Sequence, residues 1–273
     1  MPTINQYLKS SNSQEREYSL YWLTAFGIQS VVDLRPSEDL IPIISRHIEG
    51  EFDIKRTKQE IHRFYDQAKR GSGDHHIHRS EEADLVSSRI VETFLSNDFQ
   101  LSPEGFSAVH RQMFHGIYHH SGQWRERPFS KKEWVLDNAS VIYPAPDLIS
   151  NYLDYLFEQE RSIDYSRLSQ RHKLTCYSYF ISKLFMINAF QYANSRAAFV
   201  YGIKYMLSRG YRLQNDTFAK EAWYFRNAII RAFYTNMHQG IYPTTTFMEM
   251  FLGNLFHNED NELRNHRMMI KGE

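Results

Sequence analysis

Residues 187–199 read INAFQYANSRAAF. Buried-type helix precedes this stretch, polar Gln191, Tyr192, Asn194, Ser195 and Arg196 interrupt it, and AAFVYGIKYML resumes at 197. A polar interruption between core-like segments marks either a surfaced loop or a site. The rest of the chain decides between them.

At 273 residues, the chain is long enough for one large domain or a domain with an appendage. Hydrophobic residues make up 42% and aromatic residues 15%, enough for a sizeable core. The formal net charge is zero, so no basic field recruits nucleic acid or an anionic membrane. The single cysteine, Cys176, allows no internal disulfide, and the expected compartment is a reducing cytoplasm. In the apolar surroundings of TCYSYF its thiol stays protonated and unreactive. The opening MPTINQYLKSSNSQ lacks the basic-then-apolar order of a signal peptide. No apolar run approaches the roughly 20 residues that span a bilayer.

Helical periodicity dominates. Ser102-Pro103 reads as an N-cap with Pro at the first helical position, followed by inward Phe106, Val109, Met113 and Ile117. Asp147 is the expected cap of a helix with a Leu148, Tyr152, Leu156 stripe. Asp216 opens a longer one with Phe218, Ala222, Phe225, Ile229 and Ala232 on one face. Ser80, Glu81 and Glu82 begin another, their acid suiting the helix dipole, after a loop expected at RGSGDHHIH, 70–78. Residues 133–143, EWVLDNASVIY, break the helical rule: β-branched and aromatic residues flank a polar Asp137-Asn138 turn, a hairpin pattern. The expected fold is all-α, a helical bundle with one small β-hairpin. Residues 1–79 form an N-terminal helical region and 80–273 the core and C-terminal helices, packed as one unit.

In this order of elements the chain resembles the Fic family, whose members transfer AMP from ATP to a hydroxyl of a target protein. The family motif His-Pro-Phe-x-(Asp/Glu)-Gly-Asn-(Gly/Thr)-Arg falls on Asn188 to Arg196, with Phe190, Asn194 and Arg196 matching and Ser195 close to the Thr variant. AVHRQMFHGIYHHSGQWR, 108–125, is similar to the family helix ending in Phe-x-x-Ile-Tyr-x-x-x-Gly-x-x-Arg. FSKKEWVLDNASVIY, 129–143, resembles its flap hairpin, which aligns a target backbone by strand addition, here through Val135, Leu136, Asp137, Asn138 and Val141. SRHIEGE, 45–51, resembles the inhibitory motif (Ser/Thr)-x-x-x-Glu-(Gly/Asn), with Ser45, Glu49 and Gly50 in place.

The resemblance implies ATP and Mg²⁺, and it assigns each loop position a task. The family's catalytic base is a histidine, a titratable nitrogen near neutral pH; Asn188 stands there, and a carboxamide takes no proton. The acidic position holds Mg²⁺, a hard cation that wants charged oxygen; Tyr192 offers a neutral phenol. The glycine lets backbone wrap an anion; Ala193 adds a methyl that resists φ > 0. Nucleotide-binding roles fall on Ala193, Asn194, Ser195 and Arg196, with helix capping by Asn194 and pairing of Arg196 with Glu49 as the structural alternatives. The family's arginine at the motif's twelfth position is Phe199 here. Among possible substitute bases, His110 and His115 read as core, His119 and His120 as solvent-facing, and His172 as several turns away. HHIH at 75–78 has a metal-site composition but no second ligand cluster at zinc-like spacing, so no metal is assigned. The expected function is a Fic-fold relative of protein adenylyltransferases with a degenerate, inactive site. The alternative is a catalytically silent module that binds a partner protein at the hairpin.

Overall fold

The computed structural model describes residues 2–72 and 79–270. A short α1 (Pro2–Asn5) leads into α2 (Ser13–Ser30), capped by the Asn12 side chain, which accepts from the Gln14 amide. Leu20 to Phe26 are buried on every side of α2, the pattern of a helix through a core rather than on one. α3 (Leu40–Ile48), α4 (Ile54–Ser72) and α5 (Arg79–Leu95) follow, with α5 and α10 (Thr217–Phe233) packed on α2. The contact between α2 and α10 is tight at Gly27, where a Cβ would lie 2.4 Å from the Phe218 carbonyl oxygen. α6 (Pro103–Phe114) starts as its sequence dictates: the Ser102 Oγ accepts from the Gly105 amide and Pro103 begins the helix. α7 (Ile149–Ser162), α8 (Gln170–Ile187), α9 (Asn194–Ser208) and α11 (Thr246–His257) complete the bundle. α8 and α9 pack as a pair joined by residues 188–193, with α6 on α9 and α7 on α8. No helix is long and apolar enough to cross a membrane among the described residues.

Three expectations shift. The α7 stripe is Ile149, Leu153, Leu156 and Phe157; Leu148 and Tyr152 face solvent, because Asp147 lies in a 3₁₀ turn that delays the helix. Asp216 holds the N-cap position of α10, but the capping bond comes from Asn215, whose Oδ1 accepts from the Thr217 amide and hydroxyl. α4 continues through Ser72, and the rest of the 70–78 stretch, HHIH included, lies outside the described residues.

The hairpin forms with a displaced first strand. β1 (Ser130–Lys132) pairs antiparallel with β2 (Ser140–Ile142), Lys131 opposite Val141. Trp134–Leu136 coil into a 3₁₀ turn, and Asp137 and Asn138 both take φ > 0, at 51° and 62°. Val135 and Leu136 leave the strand because their side chains turn into the core, against α10. Val141 is also buried. These three, expected to meet a target, are therefore inaccessible; Asp137 and Asn138 remain exposed. The hairpin's exposed large apolar residues are Phe129, Trp134 and, at 84% exposure, Ile142. A buried ion pair, Arg226 to the Glu133 carboxylate at 2.6 Å, ties the hairpin to α10.

Candidate functional site

The loop at 188–193 is fixed at both ends by backbone that few residues adopt. Asn188, the C-cap of α8, has φ 48°, ψ 55°, and Ala193, before α9, has φ 59°, ψ 23°. Asparagine tolerates this left-handed region because its short polar side chain bonds locally; alanine lacks that compensation. Between them Phe190 is fully buried, flanked by Phe106, His110 and Trp124. The Asn194 carboxamide closes the loop in both directions: its Oδ1 accepts from the Phe190 amide at 2.7 Å and its Nδ2 donates to the Phe190 carbonyl at 2.6 Å. Asn194 is thus a loop clamp rather than a helix cap, and its polar atoms are already engaged.

Arg125 anchors the other side. Its amide donates to the Ala189 carbonyl, its Nε to the Asn188 carbonyl at 2.7 Å, and its remaining nitrogens to Arg127 and Pro144 carbonyls. One guanidinium therefore joins the loop to the chain leaving the hairpin, which places the hairpin beside the site as expected.

His110 is fixed rather than reactive. Its ring stacks on Phe190 with centroids 3.8 Å apart, Nδ1 accepts from the Gly122 amide at 2.8 Å, and Nε2 faces the Tyr192 carbonyl at 3.1 Å. An Nδ1 acceptor puts the proton on Nε2, so both nitrogens are engaged in the neutral ring. Burial pushes its pKa down to about 4. His115 is exposed, contrary to the core reading, and His119 is exposed as expected. His120 is half-buried instead of solvent-facing, since its ring packs between Tyr118 and Tyr192. His172 lies in the first turn of α8, where Ser169 caps it.

Arg196 carries the decisive geometry. Its guanidinium is buried over the Phe114 ring and donates to Glu82 Oε1 at 2.9 Å, Gln29 Oε1 at 3.0 Å and the Tyr118 hydroxyl at 2.8 Å; Tyr118 in turn donates to Glu82. Only Nε is without a partner. The expected partner, Glu49, is elsewhere: exposed at the C-cap of α3, it accepts from the Tyr7 hydroxyl. Gly50, with φ 79°, ends α3 as an ordinary C′ glycine, and Ser45 is half-buried on the same helix. The inhibitory contact fails because α5, not α3, brings an acid to α9. Sequence reasoning missed Glu82, which it read as a dipole complement, and Gln29, whose signal is a glutamine inside the apolar run WLTAFGIQSVV. Tyr118 and Arg125 lay within the quoted helix-ending motif.

Ser195 is half-buried beside Arg196. Tyr192, at the metal-ligand position, is 55% exposed and lies tilted against the rings of Tyr118 and His120. A neutral phenol and an already paired Glu82 do not make the charged oxygen set that Mg²⁺ requires, so the loop does not fit that ion. Among the described residues no cluster of His, Cys, Asp or Glu could hold a metal. Phe199 sits in the core against Phe185, Phe218 and Phe225.

Searches by sequence find nothing: no family model matches the chain and no curated protein matches it. Structure does. A Fic domain containing signaling protein from Bacteroides thetaiotaomicron aligns with TM-score 0.57 and 12% identity over 92% of this chain and 90% of its own. A Fic family protein from Desulfovibrio desulfuricans aligns with TM-score 0.56 and 11% identity, over 92% of this chain and 67% of its own. This chain has the Fic fold. The N-terminal Fic domain of the Bartonella effector Bep8 aligns with TM-score 0.53 at 13% identity, over 67% of this chain and 88% of that domain. At such identities the likeness carries the Fic fold and leaves the chemistry to the residues themselves.

Proposed function

We propose that this Fic-fold chain is related to protein adenylyltransferases and is catalytically silent. The observation that carries the reading is the Arg196–Glu82 pair. The one cation of the loop, the group that would meet a phosphate, is held by the chain's own acid, glutamine and tyrosine. Asn188 at the base position cannot accept a proton, and a missing general base alone removes typically about 10²–10⁴-fold of rate. Tyr192 supplies no metal ligand. Incubation with ATP labelled at the α-phosphate, Mg²⁺ and a cell extract is expected to give no AMP-labelled protein. Labelling by the native chain that disappears in Arg196→Lys, with folding verified by circular dichroism, overturns the proposal.

The second reading, partner docking at the hairpin, is favoured by the exposure of Phe129, Trp134 and Ile142 around a two-stranded ribbon that pairs with no third strand among the described residues. Its test is Ile142→Asp, which is expected to release a co-purifying partner without changing the unfolding midpoint. Partner retention by that variant removes the hairpin from the reading.

A further inference from the structure

Far along α9 from the loop, Lys204 is buried to 4% exposure, yet among the described residues its Nζ has as hydrogen-bond acceptor only a neutral oxygen, the Ser96 carbonyl. No ion pair joins Lys204 to a carboxylate among the described residues, unlike Lys58, Lys69 and Lys220. Lys204 lines a cavity of about 400 Å³ between α2, the end of α5 and the end of α9. That size lies within the range of small-molecule sites, about 300–1,000 Å³. Arg212, exposed on the same cavity, donates to the Tyr211 carbonyl and makes no ion pair among the described residues. The cavity's one acid, Glu17, already accepts from the Tyr21 hydroxyl at 2.7 Å. Asp98 acts on Lys204 from outside the lining. The lining thus holds two cations against one carboxylate.

A buried cation without a counter-charge is costly, and an anion entering the cavity would relieve that cost. An ammonium and a guanidinium on the wall of one cavity suit the several oxygens of a phosphate, which both residues recognise by charge-assisted hydrogen bonds. Tyr18, Tyr21, Phe94 and Leu207 line the remaining wall and offer apolar surface to whatever the phosphate is attached to.

We infer that this cavity is a phosphate site, with Lys204 and Arg212 as its cationic ligands. The inference is independent of the loop at 188–196 and of the function proposed for it. Burial lowers the Lys204 pKa, which accords with an ammonium short of compensation.

The test is calorimetric titration of the full chain at neutral pH with phenyl phosphate and, separately, inorganic phosphate. Binding of at least one is expected. It should weaken by about tenfold or more in both Lys204→Met and Arg212→Gln, the scale of losing a charge-assisted hydrogen bond to an oxyanion. Tighter binding of the ester assigns the aromatic wall to the ligand, and equal binding assigns free phosphate; both support the site. Arg212→Gln alters an exposed side chain and keeps the test meaningful if Lys204→Met unfolds. Absence of binding of either probe at millimolar concentration, or unchanged affinity in Arg212→Gln, overturns the inference.

Discussion

Replacing Ala193 with glycine should stabilise the protein, although removing a methyl from a packed protein usually does the reverse. Ala193 sits at φ 59°, ψ 23° immediately before α9. The left-handed region costs a residue bearing a Cβ about 1–2 kcal/mol, and glycine escapes that cost. Two terms oppose the gain. Glycine gives the unfolded chain more freedom, worth about 0.4–1 kcal/mol. The half-buried methyl also forfeits part of the roughly 0.8 kcal/mol that a fully buried carbon contributes. Glycine is better than alanine at a helix N-cap, which offsets some of this. The balance is a net stabilisation of about 0.5 kcal/mol. Ala198, buried in the interior of α9, is the control, where Ala198→Gly should destabilise by about 1 kcal/mol or more. Urea unfolding reads both as opposite shifts of midpoint at unchanged slope. If Ala193→Gly lowers the midpoint as Ala198→Gly does, the left-handed backbone is not costing the alanine anything and the reasoning is refuted.

Two further predictions concern buried charge. Glu133 and Arg226 are each at most 4% exposed and pair at 2.6 Å, so Arg226→Met alone should cost about 3–5 kcal/mol by stranding a carboxylate. The double variant Glu133→Gln/Arg226→Met should be less destabilised than the single one, and additive losses in a double-mutant cycle would contradict the coupling. His47, which accepts from the Trp22 indole, and His110 both have pKa values pushed down to about 4 by burial. Their folded pKa values lie below the unfolded value of about 6.5, so the stability they contribute is present above pH 6.5 and is lost as pH falls toward 4. Each adds a slope of about 1.4 kcal/mol per pH unit inside that window, and unfolding measured from pH 7 to 4.5 should be shallower in His47→Phe by about that amount.

Much of the fold was legible because its signals are local. Ser102-Pro103 forms the cap it spells, and Phe218, Ala222, Phe225, Ile229 and Ala232 all face inward on α10. The Asp137-Asn138 turn was legible too, but its positive φ values and the displaced strand beside it were not. Val135 favours strand by propensity, and burial of Val135 and Leu136 against α10 won. The loop at 188–196 was legible through Phe190 and Arg196, the one an apolar anchor and the other a cation inside a polar interruption of buried helix. What surrounds Arg196 was not. Gln29, Glu82 and Tyr118 reach it from α2, α5 and the segment after α6, and no spacing in the chain encodes that convergence. Glu49 was assigned by motif, yet helix packing decides which acid meets the guanidinium.

The contact at Gly27 has a bearing on that guanidinium. Gln29 lies two residues further along α2, and α2 can hold it there only while the helix presses against the Phe218 carbonyl with no side chain between. An alanine at 27 would have to lift the helix away from α10, and with it one of the three oxygen partners of Arg196. The reach of the loop's only cation is therefore gauged from α2, by the methyl group that Gly27 lacks where the helix meets the Phe218 carbonyl.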